Sequence, residues 1–145
     1  MEFEWDGTRW LSVHLYVVPI PPEVAMPLTA TAADATRILM PNNVGSDIWI
    51  EDHMVGFFVV GGSALGATHK WTGSVRKSNI DAGTVTVIAT PAIDSGASSV
   101  FRRLAPTAID ALLGTNVTVS TSWTKVNTPG NLYVWEALSY RIVAT

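Results

Sequence analysis

The chain contains no cysteine. Disulfides and thiolate chemistry are therefore excluded, and the compartment is left open. Charge is scarce as well. Charged residues make up 14% of 145 positions, against roughly 25% in an ordinary soluble domain. Nine cations face twelve anions for a net charge of −3, and no cationic run is longer than Arg102-Arg103. A nucleic-acid surface needs clustered positive charge, so no nucleic-acid partner is expected. No apolar stretch reaches the roughly 18 residues of a membrane helix, so no membrane insertion is expected either. Glu2 and Glu4 follow Met1, with no basic and then apolar leader pattern, so no secretory signal is read there. Internal repeats and heptads are missing too.

What is present is apolar. Hydrophobic residues are 48% of the chain, enough for the core of one domain of this length. So little charge over so much apolar content implies that part of the surface is covered, by a subunit interface or by the rest of a longer assembly. The alternative is that threonine and serine supply the polar surface.

The patterning is of period two. Residues 2–18 read as a β-hairpin turning at Asp6-Gly7. Its returning strand alternates Arg9, Leu11, Val13, Leu15 and Val17 against Trp10, Ser12, His14, Tyr16 and Val18. Pro19-Ile20-Pro21-Pro22 ends it, because proline cannot donate to a ladder. That makes 18/19 the best candidate boundary, between a hairpin over 1–18 and a β-sandwich domain over 19–145, the hairpin being either an appended stalk or connector or the first strands of the main domain. Thr29–Thr36 is ambiguous between loop, helical turn and strand. Arg37–Met40 reads as a short strand. Ile48–Ile50 and Val55–Val60 are apolar runs split by Glu51-Asp52-His53, and a turn or bulge there resolves the conflict of faces. Gly61–Gly66 reads as a hairpin loop. His69–Arg76 and Thr84–Thr90 are strands. Pro106 to Gly114, with Ile109, Leu112 and Leu113 between, has helical spacing and predicts one short helix. Val117–Trp123 and Leu132–Ile142 then form a terminal hairpin around Asn127–Asn131. The fold class is all-β: an antiparallel sandwich, jelly-roll-like, with at most one short helix.

Chemistry-bearing patterns are few. His14, His53 and His69 show no His-x-His spacing, the cupin pattern is missing, and surface or edge positions are expected for all three. Among the carboxylates Asp47, Glu51, Asp52 and Glu136, spacing singles out no pair for glycoside hydrolysis. Glu136 interrupts the apolar face of the last strand and predicts an ion pair with Arg141, Lys125 or Arg76, or the place where that face leaves the core. No serine sits in a Gly-x-Ser-x-Gly elbow. Gly61-Gly62-Ser63-Ala64-Leu65-Gly66 lacks the Lys-Ser/Thr ending of a phosphate loop. Asn116-Val117-Thr118 matches the glycosylation sequon by accident. No cofactor, metal or catalytic residue is expected.

Six tryptophans are many for this length. Trp5, Trp10, Trp49, Trp71, Trp123 and Trp135 all fall in predicted strands. Two stripes stand out as interface or ligand candidates. One is Trp10, His14 and Tyr16; the other is Tyr133 and Trp135. Subunit contact, core packing and stacking on sugar rings all suit such stripes.

Trp5-Asp6-Gly7-Thr8-Arg9-Trp10 resembles the short aromatic hairpins of phage tail fibres and virion structural proteins. The closing Leu132–Val134 and Ser139–Val143 resemble the last strand of the sandwich tips on such fibres. The resemblance covers about a quarter of the chain. It implies a non-enzymatic, homotrimeric attachment or decoration domain on a particle surface, assembled in the host cytoplasm. It also implies other particle subunits and cell-surface polysaccharide as partners. The competing expectations are a monomeric carbohydrate-binding module of a larger enzyme and a jelly-roll enzyme using His53 or His69 beside carboxylates.

Overall fold

A computed structural model describes residues 1–20, 37–41, 46–79, 83–95 and 100–144. The stretch 29–36, where the sequence leaves loop, turn and strand open, lies outside them. Every regular element among the described residues is a strand, and no helix is long and apolar enough to cross a membrane.

Two five-stranded antiparallel sheets face one another. The first runs β10 (Thr107–Leu113), β5 (Ile48–Val60), β12 (Asn131–Ile142), β3 (Tyr16–Ile20), with the short β9 (Arg102–Arg103) also on β5. The second runs β4 (Arg37–Pro41), β11 (Val117–Val126), β6 (Lys70–Asn79), β7 (Val85–Ala89), with β8 (Ala92–Ile93) also on β6. If the eight principal strands β3, β4, β5, β6, β7, β10, β11 and β12 are counted in chain order, the sheets read 6-3-8-1 and 2-7-4-5. First pairs with eighth, second with seventh, third with sixth and fourth with fifth. That nesting is the jelly roll.

The sequence explains the long central strands. β12 alternates buried Leu132, Val134, Glu136, Leu138 and Tyr140 with less buried neighbours, apart from Ser139. β6 and β11 bury Trp71, Val75, Val119 and Trp123 against them. In β5 the inward set changes phase, from Ile48 and Ile50 to His53, Val55, Phe57 and Val59. The cause is a bulge where Ser139-Tyr140 faces Asp52 and Ile50, which leaves Glu51 as the extra residue. The Asp52 N–H at the bulge is satisfied by the Ser139 hydroxyl at 3.1 Å.

Four sequence expectations are corrected. Residues 107–113 are strand β10, not helix. Ile109 and Leu113, four apart, share a face in either state. The strand alternates, with Ile109 and Leu113 buried and Ala108, Asp110 and Leu112 exposed, so the Leu112 that completes the helical spacing lies on the outer face; a bulge with Asp110 at φ +47° sits between Ala108 and Ala111. The first hairpin is shorter than read: β1 (Phe3–Trp5) pairs with β2 (Trp10–Ser12), and the chain then breaks. Tyr16–Ile20 instead pairs with β12 as the edge strand of the first sheet, so the boundary read at 18/19 lies inside β3. Pro19 is tolerated there because an edge strand needs no donor on its free side. The segments before and after Asn127–Gly130 are not a hairpin, since β11 and β12 belong to opposite sheets. The same holds for Gly61–Gly66, which carries the chain from β5 to β6.

Candidate functional site

The inner and outer faces of the β5–β12 ladder carry different chemistry. Inside, the apolar core divides into two clusters. One holds Ile48, Ile50, Val75, Val119, Leu138 and Tyr140; the other holds Val55, Phe57, Trp71, Trp123, Leu132 and Val134. The inward position between them on each central strand is His53, Glu136, Thr121 or Gly73. Three of these form a polar layer. Glu136 accepts from His53 Nε2 (3.0 Å), Thr121 Oγ1 (2.9 Å) and Trp123 Nε1 (3.2 Å). His53 and Glu136 are 1% and 4% exposed. The expected ion pair of Glu136 with Arg141, Lys125 or Arg76 is thus replaced by a clamp across the two sheets. The expected surface histidine at position 53 is in the core, because the Glu51 bulge turns it inward. A buried carboxyl group is tolerated when it is hydrogen-bonded, and three donors converge on that of Glu136. Among the described residues no group of three His, Cys, Asp or Glu side chains is placed to hold a metal ion.

Outside, the candidate aromatics part company. Trp10 lies opposite Trp5 in the hairpin, their rings 5.6 Å apart at 54°, and they are 52% and 53% exposed. His14 and Tyr16 do not continue that stripe. The His14 ring meets the Tyr16 edge at 4.5 Å, and Tyr16 stacks on Tyr140 at 5.2 Å. Burial, reinforced by the neighbouring Tyr16, raises the Tyr140 phenol above its ordinary value. The hairpin is fastened to its own sheet. Leu11 is buried, the Ala144 N–H donates to the Trp10 carbonyl, and Arg141 pairs with Glu4 and Glu51. The Arg9 guanidinium lies 3.5 Å over the Trp49 ring. At the turn the Arg9 and Thr8 N–H groups donate to Asp6, which holds its carboxyl below the ordinary value.

Tyr133 and Trp135 do share a face, as their spacing requires. Tyr133 lies opposite Phe58, with rings 6.1 Å apart. Trp135 lies opposite Gly56. The space that a side chain at 56 would fill is taken by Phe101, since a Cβ there would sit 3.2 Å from its Cζ. β9 brings Phe101 in from the far edge of β5, Arg103 pairing with Gly56, and the Phe101 ring meets Trp135 edge-on at 5.2 Å. Trp135 is 38% exposed and Phe101 61%. Between them lies a shallow groove of about 250 Å³, lined by Met54, Gly56, Phe101, Arg103, Trp135 and Ala137. The sequence reading missed Phe101. Its signal was an exposed aromatic directly before the one paired-arginine run.

No protein-family model matches the chain, and no curated protein matches it by sequence. Solved structures of similar outline include infectious bursal disease virus, Gx strain. It gives a TM-score of 0.48 and 13% identity, over 92% of this chain and 33% of that one. The VP2 subviral particle of the same virus gives 0.47 and 13%, over 90% and 32%. The Clostridium thermocellum xylanase 10B CBM22-1–GH10 modules, complexed with xylohexaose, give 0.40 and 15%, over 93% and 26%. The chain thus spans a third or less of the length of these proteins. The likeness is loose, and the jelly-roll assignment rests on the strand order itself.

Proposed function

We propose that the chain is a non-enzymatic structural and attachment domain of a virion or phage-like particle. It acts as the tip of a tail or head fibre, assembles as a homotrimer, and meets a cell-surface glycan or other particle subunits. One observation carries the reading: a jelly-roll strand order whose outer surface presents two separate aromatic clusters, Trp5–Trp10 and Phe101–Trp135, in a chain with very little charge. Jelly rolls serve in viral shells and in lectins. Large exposed aromatics that are grouped rather than scattered mark contact surfaces. The test is mass in solution by light scattering on a sizing column. Three times the 15.6 kDa subunit mass is expected, and a single subunit mass at micromolar concentration refutes the assembly.

A second reading, a monomeric carbohydrate-binding module, is favoured by the half-buried Tyr133 beside Trp135 on one sheet face. It requires tryptophan fluorescence that responds to polysaccharide in a chain of monomer mass.

A further inference from the structure

We propose that the groove between Phe101 and Trp135 is the seat for the N-terminal hairpin of a second copy of this chain, with the Trp5–Trp10 pair as the inserted knob. The inference rests on the homo-oligomeric reading above and names its contact surface.

The lining decides the class of occupant. A sugar ring brings hydroxyls that each need a partner, and leaving them unmet is costly. The groove offers almost none. Its walls are the faces of Phe101, Trp135, Met54 and Ala137, and its polar groups are the Arg103 guanidinium and the edge of Glu136, which is turned inward to the clamp. An aromatic side chain suits this seat, being apolar in body and drawn to a guanidinium rim. Charge agrees. Arg103 stands at the rim, and among the described residues it has no ion pair. The hairpin carries Glu2, Glu4 and Asp6 around its exposed tryptophans. Glu4 and Asp6 already pair with Arg141 and Arg9, which leaves Glu2 to meet the rim.

The hairpin cannot fill the groove of its own chain. It is tied to the Arg141 end of the sheet, six residues along β12 from Trp135, or about 20 Å at strand rise. Knob and seat are different patches on one subunit, so the contact is heterologous, and a heterologous contact closes into a ring when its rotation allows. The homotrimer proposed above is such a ring.

The lack of native cysteine gives a clean test. Thr8→Cys sits at the hairpin tip and Ala137→Cys in the groove. The two single-cysteine variants are mixed and mildly oxidised. The expected product joins residue 8 of one chain to residue 137 of another, read by peptide mass spectrometry, with no dimer from either variant alone. Joining of 8 to 8, or no 8–137 bond in a chain that is oligomeric, overturns the proposal. In parallel, Trp10→Ala and Arg103→Glu are each expected to raise the dissociation constant about tenfold or more while urea unfolding of the subunit is unchanged. Oligomers that survive both sets of changes refute this surface and leave the assembly intact. A wild-type chain that is monomeric refutes both. Polysaccharide-dependent Trp135 fluorescence in that monomer assigns the groove to sugar instead.

Discussion

Glu136→Ala strikes the polar layer at its acceptor. The substitution leaves the His53 Nε2, Thr121 Oγ1 and Trp123 Nε1 donors without the partner each now has inside a sealed core. An orphaned buried donor costs about 1–3 kcal/mol, and removing one partner of a buried pair costs about 3–5 kcal/mol as a whole. The three donors share one acceptor, so their losses do not add in full. A total near 4 kcal/mol is expected, which lowers Tm by roughly 10–15 °C in a domain of this size. Glu136→Gln keeps the shape and one carbonyl acceptor and should lose about 1–2 kcal/mol. The combination Glu136→Leu, His53→Leu and Thr121→Val removes most of the polar layer together. It should recover most of the loss, because matched apolar groups can replace buried hydrogen-bonded partners together at little cost. The assay is urea unfolding followed by tryptophan fluorescence at one fixed low protein concentration, so that assembly contributes equally throughout. A fall in the midpoint at constant slope is the expected signature. A loss below about 1 kcal/mol for Glu136→Ala, or equal losses for the Ala and Gln variants, would refute the clamp.

Three further outcomes follow from particular contacts. Gly62→Ala places a Cβ on the Gly130 backbone at a residue with φ +73°. A loss above about 2 kcal/mol or failure to fold is expected, with Gly66→Ala, which meets nothing, as the near-neutral control in thermal melts. Asp6 has a lowered folded value, so its contribution to the hairpin turn is present above its ordinary 3.8 and is lost as pH falls through the lower folded value. The Thr8 and Arg9 amides should gain hydrogen exchange in that acid window, as they do in Asp6→Ala at neutral pH. Tyr140 has a raised folded value, so its contribution is complete below its ordinary 10.0 and is lost as pH rises towards the folded value. Absorbance at alkaline pH should show one tyrosine ionising late, and Tyr140→Phe should flatten the loss of stability there.

The strands were legible because period two is strong in this chain. Trp71 to Val75, Val119 to Trp123 and Leu132 to Tyr140 each keep one face through several pleats. The sheet partners were less so. Gly61-Gly62-Ser63 and Asn127–Gly130 carry the same turn residues as a hairpin, yet both carry the chain across the sandwich. Local turn chemistry fixes a reversal of direction and says nothing of which sheet receives the strand. The helix read at 106–114 failed for a related reason. Leu112 completes a helical stripe with Ile109 and Leu113 in the sequence, yet it faces outward in a strand that alternates without a break. Of the candidate site, Trp135 and Tyr133 were visible from alternation alone. Phe101 was not, because it meets Trp135 across β5, and Gly56 contributes only the space that the ring occupies.

The two faces of β12 are coupled by the geometry of a strand. Trp135 and Glu136 are neighbours in sequence and point to opposite sides, so whatever holds one carboxylate inside also holds one indole outside. A slip of β12 by one residue would put Trp135 in the core and Glu136 in the groove. A slip by two would keep the faces but move Glu136 off His53, Thr121 and Trp123, leaving all three donors orphaned. An all-apolar layer would penalise the second slip less, since leucine and valine at 132, 134 and 138 differ by one methylene and neither leaves a polar group orphaned. The polar layer therefore specifies register more than it adds stability. Register is also what the outer groove needs, because Trp135 must lie opposite Gly56 for Phe101 to fold over the gap. A surface built to receive an aromatic knob has to be rigid before the knob arrives, or part of the contact free energy goes into ordering it. The buried carboxylate beneath the groove supplies that rigidity.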